Sequence, residues 1–87
     1  MSHDSKPIKS NQIRRYREKR CLRQRDVLKL VGLQHPSNLY RWETGDKIPT
    51  LKNALKLSAA LQCPVELLFL DQFKQIRQEM YPERAEQ

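Results

Sequence analysis

Cysteine and histidine are scarce in this sequence. Of 87 residues, two are cysteines (Cys21 and Cys63) and two are histidines (His3 and His35). They form none of the short Cys/His spacings that hold zinc, so we predict no metal site and no cofactor. Two unclustered cysteines without a secretory signal favour a reduced, cytoplasmic protein; a disulfide is the alternative.

Long apolar runs and glycine-rich loops are also missing. No stretch approaches the roughly 20 apolar residues that span a membrane. With two glycines there is no phosphate-binding loop, and neither histidine has an evident nucleophile or carboxylate partner. A chain of this length makes one small domain, without room for both an enzyme cleft and a separate binding module. We therefore predict a protein that is not an enzyme.

Acidic residues are the minority among the charged ones. Ten Asp and Glu stand against 17 Lys and Arg, which gives a formal net charge of +7. Residues 1–31 hold ten basic and three acidic side chains, residues 32–61 four and two, and residues 62–87 three and five. This gradient favours a polyanionic partner, nucleic acid or an anionic membrane surface, at the basic end of the molecule.

The segment from Gln24 to Glu43 has the pattern of two short helices joined by a sharp turn. In the first helix, Val27, Leu28 and Val31 make one apolar stripe, and Gly32 ends it.

The second of these helices combines a narrow apolar base with polar faces. Pro36 suits its first position, Leu39 and Trp42 share one face, and Gly45 supplies the positive φ that closes it. The other faces carry Ser37, Asn38, Tyr40 and Arg41. A helix of this design is typical of a recognition helix, which presents polar side chains to the DNA major groove.

Two helices are predicted on either side of this pair. Asn11 caps a helix over residues 12–20, with Ile13 and Tyr16 directed inward. Its outer face is basic and either meets a polyanion or is simply solvated; it carries Arg14, Arg15, Lys19 and Arg20. Thr50 caps the other helix, whose predicted apolar stripe consists of Leu51, Ala54, Leu55, Ser58 and Leu61.

A last helix is predicted from Pro64, with Glu66 in its first turn. It carries an apolar seam at four-three-four spacing, the spacing typical of helix-on-helix packing: Phe69, Phe73, Ile76 and Met80. The seam covers about two heptads, too few for an isolated coiled coil. Either it folds back onto its own core, or it is the dimerisation surface for another copy.

These patterns divide the chain into three parts. Residues 1–10 form a flexible basic N-terminal arm, which either lies on DNA through Lys6 and Lys9 or is a disordered tail. Residues 11–70 form the DNA-binding domain. Residues 71–87 form a C-terminal helical extension.

The segment from Ile13 to Phe69, about two-thirds of the chain, resembles the helix-turn-helix domain of the Cro and phage-repressor type, also called xenobiotic-response-element-like. The resemblance lies in the runs IRRYREKRCLRQRDVL and LYRWETGDKIPTLKNALKLSAALQCPVELL. Because several separated positions agree at once, the signal is strong. It implies an all-α fold, a compact five-helix lambda-repressor-like bundle with its last helix extended.

The same resemblance implies roles for individual residues. Gln24 contacts phosphate and orients the recognition helix, and Arg17 and Glu43 form a structural ion pair between the first and third helices. Arg41 either pairs with guanine O6 and N7 or contacts phosphate. The complete predicted DNA-binding set is Arg23, Gln24, His35, Ser37, Asn38, Tyr40, Arg41 and Lys47.

The sequence departs from the family pattern in three places. One extra residue lies between Gly32 and Trp42, so the first exposed residues of the recognition helix are defined only to within one position. Leu28 replaces a small residue, which predicts a wider separation of the second and third helices. Cys21 replaces a glycine, so the first helix lacks the easiest left-handed cap.

We predict a sequence-specific regulator of transcription that binds double-stranded DNA, a repressor acting as a homodimer on a promoter operator. The prediction includes no membrane partner and no small-molecule ligand. An antitoxin or restriction-control protein is one alternative, because it uses the same helices on DNA. The other is a protein-interaction module that binds through its C-terminal helix.

Overall fold

The computed structural model describes residues 11–84, which consist of helices and the loops that connect them. The predicted N-terminal arm, residues 1–10, lies outside the described residues. The helices are α1 (Ile13–Lys19), α2 (Gln24–Val31), α3 (Pro36–Thr44), α4 (Leu51–Leu61), α5 (Val65–Leu68) and α6 (Leu70–Met80), followed by a 3₁₀ turn (Pro82–Arg84).

The all-α fold class is confirmed, but the helix count is not. The sequence predicts five helices with an extended last one, whereas the described chain has six α-helices. The last helix is split because Phe69 leaves the helical region, with φ −116° and ψ 47°. Phe69 packs against the core, and α6 leaves the body of the domain from that point.

One apolar core joins α1 to α5. In α3, Leu39 and Trp42 are buried, as predicted for the apolar base of this helix. The buried cluster consists of Ile13, Val27, Val31, Leu39, Trp42, Leu57, Leu61, Cys63 and Leu68. Burial raises the pKa of the Cys63 thiol, which therefore stays protonated and behaves as a small apolar group.

The predicted apolar stripe of α4 is partly wrong. Leu51 and Leu55 are 73 % and 51 % exposed, and the buried residues are Ala54, Leu57 and Leu61. Both sets have helical spacing, so periodicity alone could not choose between them. Packing of α4 against α1, α2 and α5 decides which face is covered.

The first helix is tied to distant parts of the chain at both ends. Asn11 Oδ1 accepts a hydrogen bond from the Ile13 N–H at 3.0 Å, and Asn11 Nδ2 donates to the Trp42 carbonyl at 2.8 Å. At the other end, Arg20 donates to the carbonyls of Leu61 and Gln62 at 3.0 and 2.9 Å. Arg20 thus satisfies carbonyls at the end of α4 and is not part of a freely solvated basic face.

Helix α1 ends in a left-handed cap, although the cap residue is a cysteine. Cys21 has φ 59°, its N–H donates to the Glu18 carbonyl at 2.9 Å, and the Leu22 N–H donates to the Arg17 carbonyl at 3.0 Å. These are the two hydrogen bonds of a Schellman motif. Cys21 therefore adopts the left-handed conformation that is usual for glycine at this position. Its Cβ adds a steric strain energy that glycine would not have.

Cys21→Gly is expected to raise the free energy of unfolding by about 1 kcal/mol, because relief of the left-handed strain exceeds the extra entropy of an unfolded glycine. Thermal melting followed by circular dichroism should show a rise of about 4–8 °C. Cys21→Val, which puts a β-branched residue at the same φ, is the control and should melt below the wild type. A lower melting temperature for Cys21→Gly would contradict the expectation.

Candidate nucleic-acid interface

Helix α3 presents its polar side chains outward from the core. Pro36 occupies its first turn, and Gly45 closes it with φ 80°. Of the residues predicted to bind DNA from this helix and its cap, Asn38 is half-buried and the others are exposed: His35, Ser37, Tyr40 and Arg41.

The backbone around Arg41 is firmly held while its guanidinium is not. The Arg41 carbonyl accepts hydrogen bonds from the Thr44 hydroxyl at 3.1 Å and from the N–H groups of Asp46 and Lys47 at 2.9 and 3.2 Å. Among residues 11–84, the side chain of Arg41 has no hydrogen-bond or ion-pair partner. An exposed fork of five donors on a fixed backbone is therefore available to an external acceptor.

A buried carboxylate links three helices behind this face. Glu43 Oε2 accepts a hydrogen bond from Arg17 Nε at 2.7 Å, and Glu43 Oε1 accepts from Gln24 Nε2 at 3.1 Å. The side chains of Arg17 and Glu43 are 11 % and 5 % exposed. Arg17 Nη1 also donates to the Leu22 carbonyl at 3.0 Å. The network fixes α3 relative to α1 and to the start of α2.

The N-terminus of α2 carries two exposed arginines, Arg23 and Arg25, and one acid, Asp26. The Arg23 N–H donates to Asp26 Oδ2 at 2.7 Å, and this hydrogen bond holds the pKa of the Asp26 carboxyl below its ordinary value. The Arg23 side chain is 70 % exposed and lies 3.7 Å from the same carboxylate. Asp26 thus caps the helix, and the guanidinium of Arg23 remains accessible.

These elements meet at a cleft between α1 and α3 of about 440 Å³. Its lining is mostly polar and basic: Arg14, Arg17, Arg23, Gln24, Tyr40, Glu43 and Thr44. The structure thus brings the predicted residues Arg23, Gln24 and Tyr40 together. His35, Ser37, Asn38, Arg41 and Lys47 do not line the cleft.

A family comparison agrees with this arrangement. A model of the family described as helix-turn-helix, of the Cro/C1 type, matches residues 13–68. The chain belongs to the Cro/C1-type helix-turn-helix family. No curated protein matches the chain. The predicted resemblance to Cro and phage repressors is therefore confirmed at the level of the family.

Membership of the Cro/C1-type family assigns a coarse function. This family is a DNA-binding regulatory one, typically without enzyme activity, and membership supports binding of double-stranded DNA. Within residues 11–84, no group of three or more His, Cys, Asp or Glu side chains could hold a metal ion. None of the described helices is both long and apolar enough to cross a membrane.

The sequence-based prediction did not include two residues that line the cleft of this Cro/C1-type domain. Arg14 and Thr44 line the cleft but were not among the predicted DNA-binding residues. Arg14 lies three residues before Arg17 and so shares its side of α1, and Thr44 lies three residues after Arg41. The sequence shows both spacings. They predict cleft residues only when it is also known that α1 and α3 form the two sides of one cleft.

The residues predicted for dimerisation lie apart from the cleft residues along the chain. Phe69 lies between α5 and α6 and is half-buried, whereas Phe73, Ile76 and Met80 lie on α6. None of the residues of α6 is buried.

Proposed function

We propose that this protein is a sequence-specific regulator of transcription that represses by occupying a promoter operator as a homodimer. It acts in the cytoplasm. Residues 11–70 are its DNA-binding unit, and residues 71–87 are a C-terminal extension. The observation that carries the proposal is the exposed Arg41 guanidinium, which has no hydrogen-bond or ion-pair partner among residues 11–84 and stands on a backbone whose carbonyl is fixed by hydrogen bonds.

The width of α3 and the position of its polar residues support major-groove reading. The major groove, about 12 Å wide, admits one α-helix, and base edges there offer a distinct pattern for each base pair. Ser37 and Arg41 are four residues apart and therefore lie on one side of α3. The guanidinium of Arg41 can donate two hydrogen bonds to O6 and N7 of guanine, and the hydroxyl of Ser37 can form a hydrogen bond with several bases.

The groups beside α3 support phosphate contacts on both sides of the groove. Arg14, Arg23 and Thr44 line the cleft next to the start of α2, and their donor groups suit phosphate oxygens. Lys47 is exposed just beyond the other end of α3. We propose that these residues position the protein on the duplex, while Ser37 and Arg41 choose the sequence.

Repression by occupancy needs no more than the binding of the helix-turn-helix domain to promoter DNA. A bound dimer on a promoter competes with polymerase for the same DNA, and residues 11–84 contain no additional globular unit that would recruit other proteins. An antitoxin or a restriction-control protein would bind DNA in the same way, and an added protein partner would distinguish it.

Titration of the protein against a random pool of fluorescent duplexes, at several salt concentrations, tests DNA binding directly. We expect steep weakening with salt, and Arg23→Gln should reduce the slope of log affinity against log salt by about 1, because one phosphate contact is lost. Lys74→Gln, which removes the same unit charge from α6, is the matched control and should leave the slope unchanged. Absence of duplex binding near physiological salt would refute the proposal.

A further inference from the structure

The cleft between α1 and α3 has room for more than a phosphate group of DNA. Its volume is about 440 Å³, within the range of about 300–1,000 Å³ that is usual for sites that hold small molecules. A backbone phosphate of a duplex enters such a cleft as one small group. The bases of the duplex remain stacked on one another, so they cannot fill the rest. The cleft is therefore larger than a contact with the DNA backbone requires.

The inner wall of the cleft is formed before any ligand arrives. Glu43 Oε2 accepts a hydrogen bond from Arg17 Nε at 2.7 Å, and Glu43 Oε1 accepts from Gln24 Nε2 at 3.1 Å. Arg17 Nη1 donates to the Leu22 carbonyl at 3.0 Å. Because these groups bind one another, the cleft keeps its shape when it is empty, and a ligand does not have to order it. The charge of Arg17 is balanced by Glu43, so the attraction for an anion has to come from the rim.

Two arginines at the rim supply this attraction. The side chains of Arg14, on α1, and Arg23, at the start of α2, are 72 % and 70 % exposed. Arg14 Nε lies 3.2 Å from the carboxylate of Glu18, and Arg23 Nε lies 3.7 Å from that of Asp26. Exposed ion pairs of this kind are weak, so a group with several negative charges can replace the carboxylates. Guanidinium groups bind phosphate oxygens through two parallel hydrogen bonds, and two guanidiniums suit two linked phosphates.

Tyr40 adds an aromatic ring to the same lining. Its side chain is 61 % exposed and belongs to α3, on the other side of the cleft from Arg14. Aromatic rings of proteins stack on the faces of unpaired nucleobases. A duplex can reach the hydroxyl of Tyr40, but it offers no free base face to the ring. A free nucleotide offers both a base and its phosphates.

We propose that the cleft binds a free nucleoside diphosphate or triphosphate, a ligand that the sequence did not predict. Its phosphates bind Arg14 and Arg23, and its base stacks on Tyr40. The consequence rests on the proposed function, in which Arg14 and Arg23 contact the phosphates of the operator. Nucleotide and operator then compete for the same two guanidiniums, and a rise in nucleotide concentration releases the operator.

A titration of the full chain with adenosine triphosphate, without DNA, tests the site by itself. Amide chemical shifts measured by nuclear magnetic resonance, at constant ionic strength, should give a Kd of about 1 mM or lower. The largest shifts should fall in α1, at the start of α2 and in α3. Sodium tripolyphosphate, which has the phosphates without the base, should bind at least about fivefold more weakly. Equal binding of the two probes, or no binding of adenosine triphosphate at about 10 mM, would overturn the proposal.

Two neighbouring arginines of α1 make a matched pair of variants. Arg14→Gln should weaken binding of adenosine triphosphate about fivefold or more, because a paired contact to phosphate is lost. Arg15→Gln removes the same charge from a residue that does not line the cleft, and its Kd should stay within about twofold of the wild type. Equal weakening by both substitutions would mean that the basic surface attracts any polyanion, and would contradict a site in the cleft.

The role of the ring is tested with Tyr40→Leu. Its affinity for adenosine triphosphate should fall to that for tripolyphosphate, while binding of tripolyphosphate itself should not change. Tyr81→Leu, which removes an exposed tyrosine that does not line the cleft, is the control and should bind adenosine triphosphate like the wild type. If Tyr40→Leu binds both probes as the wild type does, the base does not stack on Tyr40 and the assignment of a nucleotide is wrong.

Nucleotide binding and DNA binding can fail separately. Adenosine triphosphate should displace a fluorescent duplex from the chain at a concentration near its own Kd, with sodium chloride adjusted to keep the ionic strength constant. Duplex binding by a chain that does not bind adenosine triphosphate would refute the nucleotide site and leave the DNA-binding function standing. Binding of adenosine triphosphate in the cleft of a chain that binds no duplex would support the site and refute the DNA-binding function. Simultaneous binding of both would refute their competition.

Discussion

Replacing Glu43 with alanine is expected to lower the free energy of unfolding by about 3–5 kcal/mol. The substitution leaves the guanidinium of Arg17, 11 % exposed, without its carboxylate, and it removes the acceptor of the Gln24 amide. An uncompensated buried charge is among the costliest defects in a small domain. Thermal melting should show a fall of about 12 °C or more.

A double variant separates the unpaired charge from the loss of the residue itself. Arg17→Met combined with Glu43→Leu replaces the ion pair by apolar groups of similar length and should recover most of the stability. With the single variants Arg17→Met and Glu43→Leu, the difference between the effect of the double variant and the sum of the two single effects measures the coupling of the pair in a double-mutant cycle. If the double variant is as unstable as Glu43→Ala, burial of an unpaired charge is not the cause.

Replacing Arg41 with alanine is expected to weaken binding to an operator that the wild type has enriched from the random pool by about 5- to 150-fold, equivalent to about 1–3 kcal/mol, while binding to random duplexes changes much less. The guanidinium of Arg41 is exposed and unpaired among the described residues, so its removal should leave the fold intact. Anisotropy titrations with operator and scrambled duplexes, at one fixed salt concentration, give the ratio of the two affinities for the wild type and for the alanine variant.

Arg41→Lys decides between the two roles open to this side chain. Lysine keeps the charge but lacks the planar fork, so it can replace a phosphate contact but not a paired contact to guanine. If Arg41 reads a base, the lysine variant should lose operator preference nearly as fully as the alanine variant. If the lysine variant keeps the wild-type preference, Arg41 contacts phosphate and another residue carries the discrimination.

Local signals were enough to predict most of the helices. The limits of α2 and α3 follow from Gly32, Pro36 and Gly45, whose backbone preferences depend little on tertiary context. Thr50 caps α4 as predicted, accepting from the Asn53 N–H at 3.3 Å. Such residues act within one helical turn, and that is why the sequence alone reveals them.

Features that depend on packing were not predictable in the same way. The covered face of α4 is selected by three neighbouring helices, and the break at Phe69 arises where that side chain packs on the core. The cleft residues Arg14 and Thr44 share no sequence motif; they meet only because α1 and α3 pack together. The roles of the predicted DNA-binding residues remain predictions, and the exposure of Arg41 is what makes its role testable.

The separation of buried and exposed residues along α3 has an evolutionary consequence. Leu39 and Trp42 lie in the core, and Glu43 is held by α1 and α2, so changes at these positions endanger the fold. Ser37 and Arg41 alternate with them along the same helix and are exposed. If Ser37 and Arg41 read the operator as proposed, a descendant protein that exchanges them acquires a new set of target promoters while it inherits its stability unchanged.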